Sequence, residues 1–380
     1  MNKSIDMDDQ EIYHIKKMIR ETSVELDLTD RIMESFMPKR TKATGHSRLH
    51  QGWRRAMISI ASVAAIVIIV TGTGFISPTL AASIKQIPGM NSIFKLAGDL
   101  GLKMADEKGL VTVLDTGATH DGLTLRATAI TFDGTRVSIG LQREVLDHVQ
   151  SAESLLAAIK NVELAIDDKD IQTYSAAGYN DVGIFINPTQ DQNTAILQFA
   201  DLKNQGGQAL PDTFKLSLEL TLSGAQEPFK LTIPVTINTE NNLVLNPAIQ
   251  RKYENINLTL DKIEFTLITT NLTTRIELPE GMKIAELQSS QGMIGYDLFD
   301  ETGKKIKLIS GNGWNAENGN VLITDTRFEP FESIPKSITL KPYKYIYKDN
   351  DSYLFQLDAD GHVKVEYIPE LEITLPVVAQ

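Results

Sequence analysis

FKLSLELTLSGAQEPFKLTIPVTI, residues 214–237, carries the fold class in its spacing. Phe214, Leu216, Leu218, Leu220 and Leu222 alternate with polar residues. After SGAQEP the alternation resumes at Phe229, Leu231, Ile233, Val235 and Ile237. Side chains two apart share one face of an extended strand, so each run has one apolar face and one wet face. Such strands bury their apolar faces by packing sheet against sheet.

The same period recurs outward from this stretch, at Val137, Ile139 and Leu141. Asp121-Gly122, Asp133-Gly134, Asn312-Gly313 and Asp360-Gly361 are dipeptides that favour hairpin turns. Helix signals are sparse beyond Leu110, with one candidate at Ala152–Lys160. An antiparallel sandwich or barrel is expected.

The pattern also repeats. Leu123-Thr124-Leu125, Ile130-Thr131-Phe132 and Thr135-Arg136-Val137 are echoed by Leu258-Thr259-Leu260, Ile263-Glu264-Phe265 and Thr274-Arg275-Ile276. Each block reads as two strands followed by a Thr-Arg-apolar strand, which predicts a duplicated β-sandwich module. The Asn-rich stretch NTENNLVLNP, residues 238–247, suits the boundary.

Towards the N-terminus the period changes. Ile93, Phe94, Ala97, Leu100 and Met104 recur at helical spacing. They predict a short amphipathic helix that either lies on a bilayer or caps the first β domain. Before it, MISIASVAAIVIIVTGTGFI, Met57–Ile76, holds no charged side chain. A helix of that length matches a hydrocarbon core of ~30 Å. Trp53, Arg54 and Arg55 stand where an aromatic ring and cations meet the headgroups. Lys39, Arg40, Lys42, Arg48, Arg54 and Arg55 precede the stretch with no acidic residue among them, so the N-terminus is expected in the cytoplasm.

Residues 1–37 read as two short helices with apolar stripes at Ile12, Ile15 and Ile19, and at Leu28, Ile32, Met33 and Phe36. Two helices this short cannot hide their stripes on each other alone, which leaves a partner, the membrane or a marginal hairpin.

Composition narrows the chemistry. Cysteine is absent, which rules out disulfides, zinc-thiolate sites and thiol nucleophiles. Residues 1–55 hold 11 Lys+Arg and 9 Asp+Glu, a net of +2, so the rest carries −14 to give the chain's −12, which argues against direct nucleic-acid binding by the outer part. The six histidines, His14, His46, His50, His120, His148 and His362, form no metal-ligand pair. Asp349-Asn350-Asp351 and Asp358-Ala359-Asp360-Gly361 lack the remaining ligands of a calcium loop and suit turns better. Asp167-Asp168-Lys169-Asp170 reads as a charged loop, and Trp314 in GNGWN as a loop anchor or a ligand contact. No catalytic, metal or cofactor residue is expected.

The stretch SPTLAASIKQIPGMNSIFKLAGDLGLK, followed by DGLTLRATAITFDGTRVSIG, resembles a family of Gram-positive single-pass membrane proteins. Their outer domain is of unknown function. KYENINLTLDKIEFT resembles a second uncharacterised β domain that often follows it. The resemblance implies an anti-sigma-factor-like protein, although the His-x3-Cys-x2-Cys zinc motif of better-known anti-sigma domains is missing. The expected fold is mainly β, with a short N-terminal helical segment, one transmembrane helix and two extracytoplasmic immunoglobulin-like β-sandwich domains. The expected divisions are 1–55, 56–77, 78–104, 105–240 and 241–380. The expected partners are the lipid bilayer, a cytoplasmic sigma factor held by Ile12, Ile15, Ile19, Leu28, Ile32, Met33 and Phe36, and an unidentified extracytoplasmic ligand. A cell-surface interaction protein with no signalling role is the alternative, and an envelope enzyme a third reading.

Overall fold

The computed structural model describes residues 93–145, 153–176, 182–316, 318–348, 351–358 and 361–377. The apolar stretch Met57–Ile76, its flank Trp53–Arg55, and the stripe residues Ile12 to Phe36 lie outside them. Among the described residues no helix is long and apolar enough to cross a membrane.

Two short helices, α1 (Ile93–Leu96) and α2 (Leu100–Glu107), lead into strands β1 (Thr112–His120), β2 (Leu123–Phe132) and β3 (Arg136–Val145). A helical turn, α3 (Leu155–Ala158), precedes β4 (Ile159–Ile166) and β5 (Lys169–Asp170). Then follow β6 (Ile184–Pro188), β7 (Thr194–Ala200), β8 (Thr213–Leu222) and β9 (Phe229–Thr236). The second half runs through β10 (Leu243–Leu245), β11 (Ile249–Tyr253), β12 (Ile256–Phe265), β13 (Thr270–Glu277) and helix α4 (Ile284–Gln291). It continues with β14 (Ile294–Asp300), β15 (Lys305–Ile306), β16 (Leu308–Asn315), β17 (Val321–Phe328) and β18 (Ser337–Tyr345). The last strands are β19 (Tyr347–Lys348), β20 (Asp351–Phe355), β21 (Val365–Tyr367) and β22 (Ile373–Pro376).

The alternation works as its spacing requires. Along β9, Phe229, Leu231, Ile233 and Val235 are buried, while Lys230, Thr232, Pro234 and Thr236 are exposed. Pro234 is tolerated because β9 is the edge of its sheet and needs no ladder donor on its free side. In the first half, sheet β1-β2-β3-β7-β6 faces sheet β5-β4-β8-β9 across one core that includes Leu125, Phe132, Ile139, Phe199, Leu218 and Ile233. In the second, β10-β12-β13-β17-β16, with β11 also on β12, faces β15-β14-β18-β21, with β22 also on β18. Leu258, Phe265, Leu272, Leu298, Phe328 and Leu340 are among its core residues.

The two halves share one strand order, so the duplication is structural. Its register differs from the sequence reading. Leu123–Phe132 is one strand of ten residues, as is Ile256–Phe265, where two short strands each are read from the sequence. Both strands carry an irregularity at the same place, between Ala127 and Ala129 and between Leu260 and Lys262. Each is a β-bulge with one unpaired residue, Thr128 or Asp261. Phe132 pairs with Val137 and Phe265 with Thr270, so the counterpart of Arg136 is Thr269, and Arg275 lies much farther along its strand. The Thr-Arg-apolar echo is compositional, because strands draw on the same few residue types.

Asp121-Gly122 forms the expected two-residue turn, with φ of 51° and 78° and His120 paired to Leu123. Asn312-Gly313 does not turn. Both lie inside β16, where Gly313 pairs with Thr324 and Asn312 with Asp325, so tertiary pairing overrides the dipeptide signal. The helical stripe caps the first sandwich. Ile93, Phe94, Ala97 and Met104 are buried, and Ile93 and Phe94 pack with Ala129 and Ile196. The helix expected across Ala152–Lys160 shrinks to α3, capped by Ser154, whose Oγ accepts from the Ala157 amide at 3.2 Å.

Candidate functional site

The chemistry of this chain concentrates where the two sandwiches and the leading helices meet. The turn after β2 begins with Asp133. Its Oδ1 accepts from the Thr135 amide at 2.8 Å and the Arg136 amide at 3.0 Å, which fixes the turn. The turn after β12 begins with Thr266, the counterpart of Asp133. Its Oγ1 accepts from the Ile268 amide at 3.0 Å and the Thr269 amide at 2.7 Å. The same brace is thus built once with a carboxylate and once with a hydroxyl. The two turns then touch each other: Thr266 Oγ1 donates to Asp133 Oδ2 at 2.7 Å, and Arg136 Nε donates to Thr269 Oγ1 at 2.9 Å. Each contact joins a residue to its own structural counterpart, as residues on the axis of a two-fold interface do.

Arg136 also reaches the helices. Its Nη1 donates to Asp99 Oδ2 at 2.6 Å and its Nη2 to Asp99 Oδ1 at 3.2 Å, a bidentate pair. The same Nη2 donates to the Ile268 carbonyl at 3.1 Å. Side-chain exposure is 3% for Arg136 and 15% for Asp99. Asp99 is the N-cap of α2, accepting from the Leu102 amide at 3.1 Å. Burial alone would raise the Asp99 carboxyl. The charge and hydrogen bonds of Arg136 outweigh it, with the Leu102 and Gly101 amides, and hold the group below the ordinary carboxylate range. Burial would likewise lower Arg136, but Asp99, Asp133 and Glu329 keep its guanidinium above its usual value.

The second sandwich grips the same elbow between α1 and α2. Glu329 Oε1 accepts from the Leu100 amide at 3.2 Å, and Lys307 Nζ donates to the Gly98 carbonyl at 3.0 Å. A Cβ on Gly101 would stand 1.9 Å from the Ile268 oxygen, so only glycine permits this approach.

A second set of contacts lies beside the first. Ala129, Gly140 and Ile196 form a row across the first sheet, and Lys262, Thr273 and Asp325 are their counterparts in the second. The first row is small and apolar because helix α1 covers it; Ile93 Cβ lies 3.3 Å from the place a Gly140 Cβ would take. The second row is polar because the loop from Asp201 to Gln205 covers it. Asn204 Nδ2 lies 3.2 Å from Glu264 and 3.3 Å from Asp325, and its Oδ1 accepts from Lys262 at 3.4 Å. Lys203 adds an ion pair to Glu264 at 3.5 Å. Trp314 of β16 packs its ring against Gly206, so it anchors the loop to the second sandwich.

Arg327 and Asp325 are both essentially inaccessible and stand 3.6 Å apart. Burial, the largest influence on each, raises the Asp325 carboxyl and lowers the Arg327 guanidinium. Arg327 Nη1 donates to Asn312 Oδ1 at 2.5 Å.

The sequence-derived site residues Ile12, Ile15, Ile19, Leu28, Ile32, Met33, Phe36, Trp53, Arg54 and Arg55 lie outside the described residues. Of the junction residues only Trp314 was singled out from sequence, as a loop anchor or a ligand contact, and it is an anchor on Gly206. Asp133 and Arg136 stood within quoted motifs, but neither Asp99, 37 residues before Arg136, nor Thr266, Ile268 and Thr269, over 130 residues after, leaves a local trace. Among the described residues no group of three His, Asp or Glu side chains is placed to hold a metal ion. Asp167 and Asp168 form a two-residue turn at φ of 47° and 65°.

No curated protein matches the chain. Among solved structures it is similar to a conserved domain protein from Bacillus anthracis, at 11% identity over 71% of this chain and 93% of that one, with a TM-score of 0.46. It is also similar to bovine butyrophilin, at 7% identity over 65% and 93%, TM-score 0.16. A marsupial T cell receptor gives 13% identity over 60% of each chain, TM-score 0.17. Two family models match parts of the chain. A domain of unknown function (DUF4179) covers residues 52–144, from the flank of the apolar stretch through α1, α2 and β3, and a family of unknown function (DUF5643) covers residues 242–375, the second sandwich.

Proposed function

We propose that the chain is a single-pass membrane-anchored regulatory protein, anti-sigma-factor-like, whose sandwiches face outward and whose N-terminal segment binds a cytoplasmic regulator. The observation that carries this reading is the extent of the first family match. It begins at residue 52, before the apolar stretch, and ends at residue 144 in β3. The basic and aromatic flank, the stretch itself, both helices and three strands therefore recur as one unit. A unit of that composition links a membrane helix to an outer fold through a short connector. DUF4179 is also a family often associated with anti-sigma-factor-like membrane proteins.

The outer halves are of the immunoglobulin-like kind in this reading. The order β2-β3-β7-β6 follows strands A-B-E-D of such a sandwich, and β4-β8-β9 follows C-F-G. β12-β13-β17-β16 and β14-β18-β22 repeat both. Such sandwiches bind through surfaces and loops, which fits a sensing role better than a catalytic one.

The cytoplasmic function rests on Ile12, Ile15, Ile19, Leu28, Ile32, Met33 and Phe36, with a sigma factor as the proposed partner. Burying such side chains in a groove stabilises by ~1.5–3 kcal/mol each before ordering costs. Ile32→Asp with Phe36→Asp should release the partner in co-purification with the full chain and raise transcription from the co-encoded sigma factor. A double variant that matches wild type in both readouts would favour a surface-interaction protein instead.

A further inference from the structure

We infer that the second sandwich is a releasable clamp on the elbow between α1 and α2. The inference rests on the proposed function only for its biological meaning; the clamp itself stands on geometry.

The first sandwich holds the helices by burying apolar side chains. Ile93 and Phe94 pack with Ala129 and Ile196, and Ile268 of the second sandwich joins the same buried cluster. The second sandwich touches the helices differently. Beside the Ile268 side chain, its contacts fall on the elbow: Glu329 accepts from the Leu100 amide, Lys307 donates to the Gly98 carbonyl, and the Ile268 carbonyl lies close against Gly101. Its turn at Thr266–Thr269 also pins Arg136, the residue that holds Asp99.

Two kinds of attachment give two kinds of release. An apolar seat is lost only with the fold around it, because contact is spread over many atoms. A handful of directional polar contacts can part together and be replaced by water, at a modest net cost for each. Displacing the second sandwich therefore removes its hold on Gly98, Leu100 and Gly101, while α1 stays seated and Asp99 keeps its pair with Arg136. Glu329 fits this role, since burial raises its carboxyl above the ordinary value and leaves it poorly solvated in the clamped state. The charged groups that face the elbow are Asp99, Asp133 and Arg136 from the first half, with Lys307 and Glu329 from the second. A ligand, or a pull, acting on the second sandwich would thus reach the segment that follows the apolar stretch without unfolding either core.

Hydrogen exchange on the full purified chain tests this. Gly101→Ala attacks the contact from the elbow, and Thr266→Val and Glu329→Ala attack it from the clamp. Each should speed exchange at the Leu100, Leu102 and Lys103 amides at least tenfold, leaving amides of β8 and of β12 at wild-type rates. Unchanged elbow exchange in all three variants would overturn the clamp and leave the helices held by the first sandwich alone. Acceleration spread equally over β8 would overturn it too, because the elbow would then belong to the first core. Neither result depends on a cytoplasmic partner, so the clamp and the membrane reading can fail separately.

Discussion

Asp201 shows how one buried side chain sets the terms of the junction. It opens the loop that covers the second sheet and is 3% exposed. Its Oδ1 accepts from the Lys203 amide at 2.9 Å and its Oδ2 from the Leu210 amide at 3.4 Å. Burial drives its carboxyl from 3.8 up to about 6, against the opposing pull of those amides, Lys203 and Arg327. A carboxyl with a higher pKa in the folded state binds protons preferentially there. Its stabilising contribution is complete below about pH 4 and is lost as the pH rises through about 6. A shift of about two units corresponds to at most ~3 kcal/mol. Glu329 and Asp325 are raised too and add in the same sense. Asp99 and Glu264 are lowered, so they contribute above their unfolded values and lose that contribution only at more acidic pH. The urea midpoint of the wild-type chain should therefore be higher at pH 5 than at pH 7. Asp201→Asn should flatten most of that difference. An unaltered slope in the variant would assign the effect to other groups.

Among the elements, β16 explains why strands were legible and their surroundings were not. It is the edge of its sheet, and an open edge invites pairing with other chains. Here the first sandwich covers it: Gln205 Nε2 donates to the Asn312 carbonyl at 2.5 Å, and Trp314 lies on Gly206, whose φ is +73°. The sequence signal at this place, Asn-Gly, pointed to a turn because it is a local preference and carries no knowledge of strand pairing. Alternation in β8 and β9 was fully readable, since one face meets solvent. In β3 and β13 it was half readable. Val137, Ile139 and Leu272 announce the core, but Arg136, Ser138, Asn271 and Thr273 face a covered side and look solvent-exposed from sequence. The leading stripe reads from sequence as one amphipathic helix but forms two, α1 and α2, and the choice between bilayer and sandwich needed the counterpart row Ala129, Gly140 and Ile196. Trp314→Ala should remove the anchor of the covering loop. The expected cost is about 2 kcal/mol, below the range for a fully buried Trp because the side chain is only half-buried. Proteolysis within 201–208 should accelerate in the same variant, and an unchanged cleavage rate would count against the anchor.

At the scale of the molecule, the helices belong to the fold rather than to a linker. The division read from sequence places residues 78–104 in a separate juxtamembrane segment and starts the first β domain at 105. The contacts cut across that line. Phe94, Leu102 and Ala105 share one buried cluster with Ala129 and Ile196 of the first sandwich and Ile268 of the second. The Asn-rich stretch at 238–247 is not loose either: the Asn238 amide donates to the Phe132 carbonyl at 2.8 Å, and Asn242 Nδ2 to the Asp133 carbonyl at 3.0 Å. Residues 243–245 already pair with β12. A chain spanning 92–377 should therefore unfold with a higher midpoint than one spanning 105–377. The shorter chain loses the apolar seat of α1 and leaves Arg136 buried without Asp99, and breaking a buried ion pair in this way typically costs 3–5 kcal/mol. Supplying Arg136→Met in the shorter chain should recover part of the loss, because the stranded charge is then gone. Equal midpoints for the two chains would mean that the helices merely rest on the sandwiches, and a failure of Arg136→Met to help would place the cost in lost packing instead of the unpaired guanidinium.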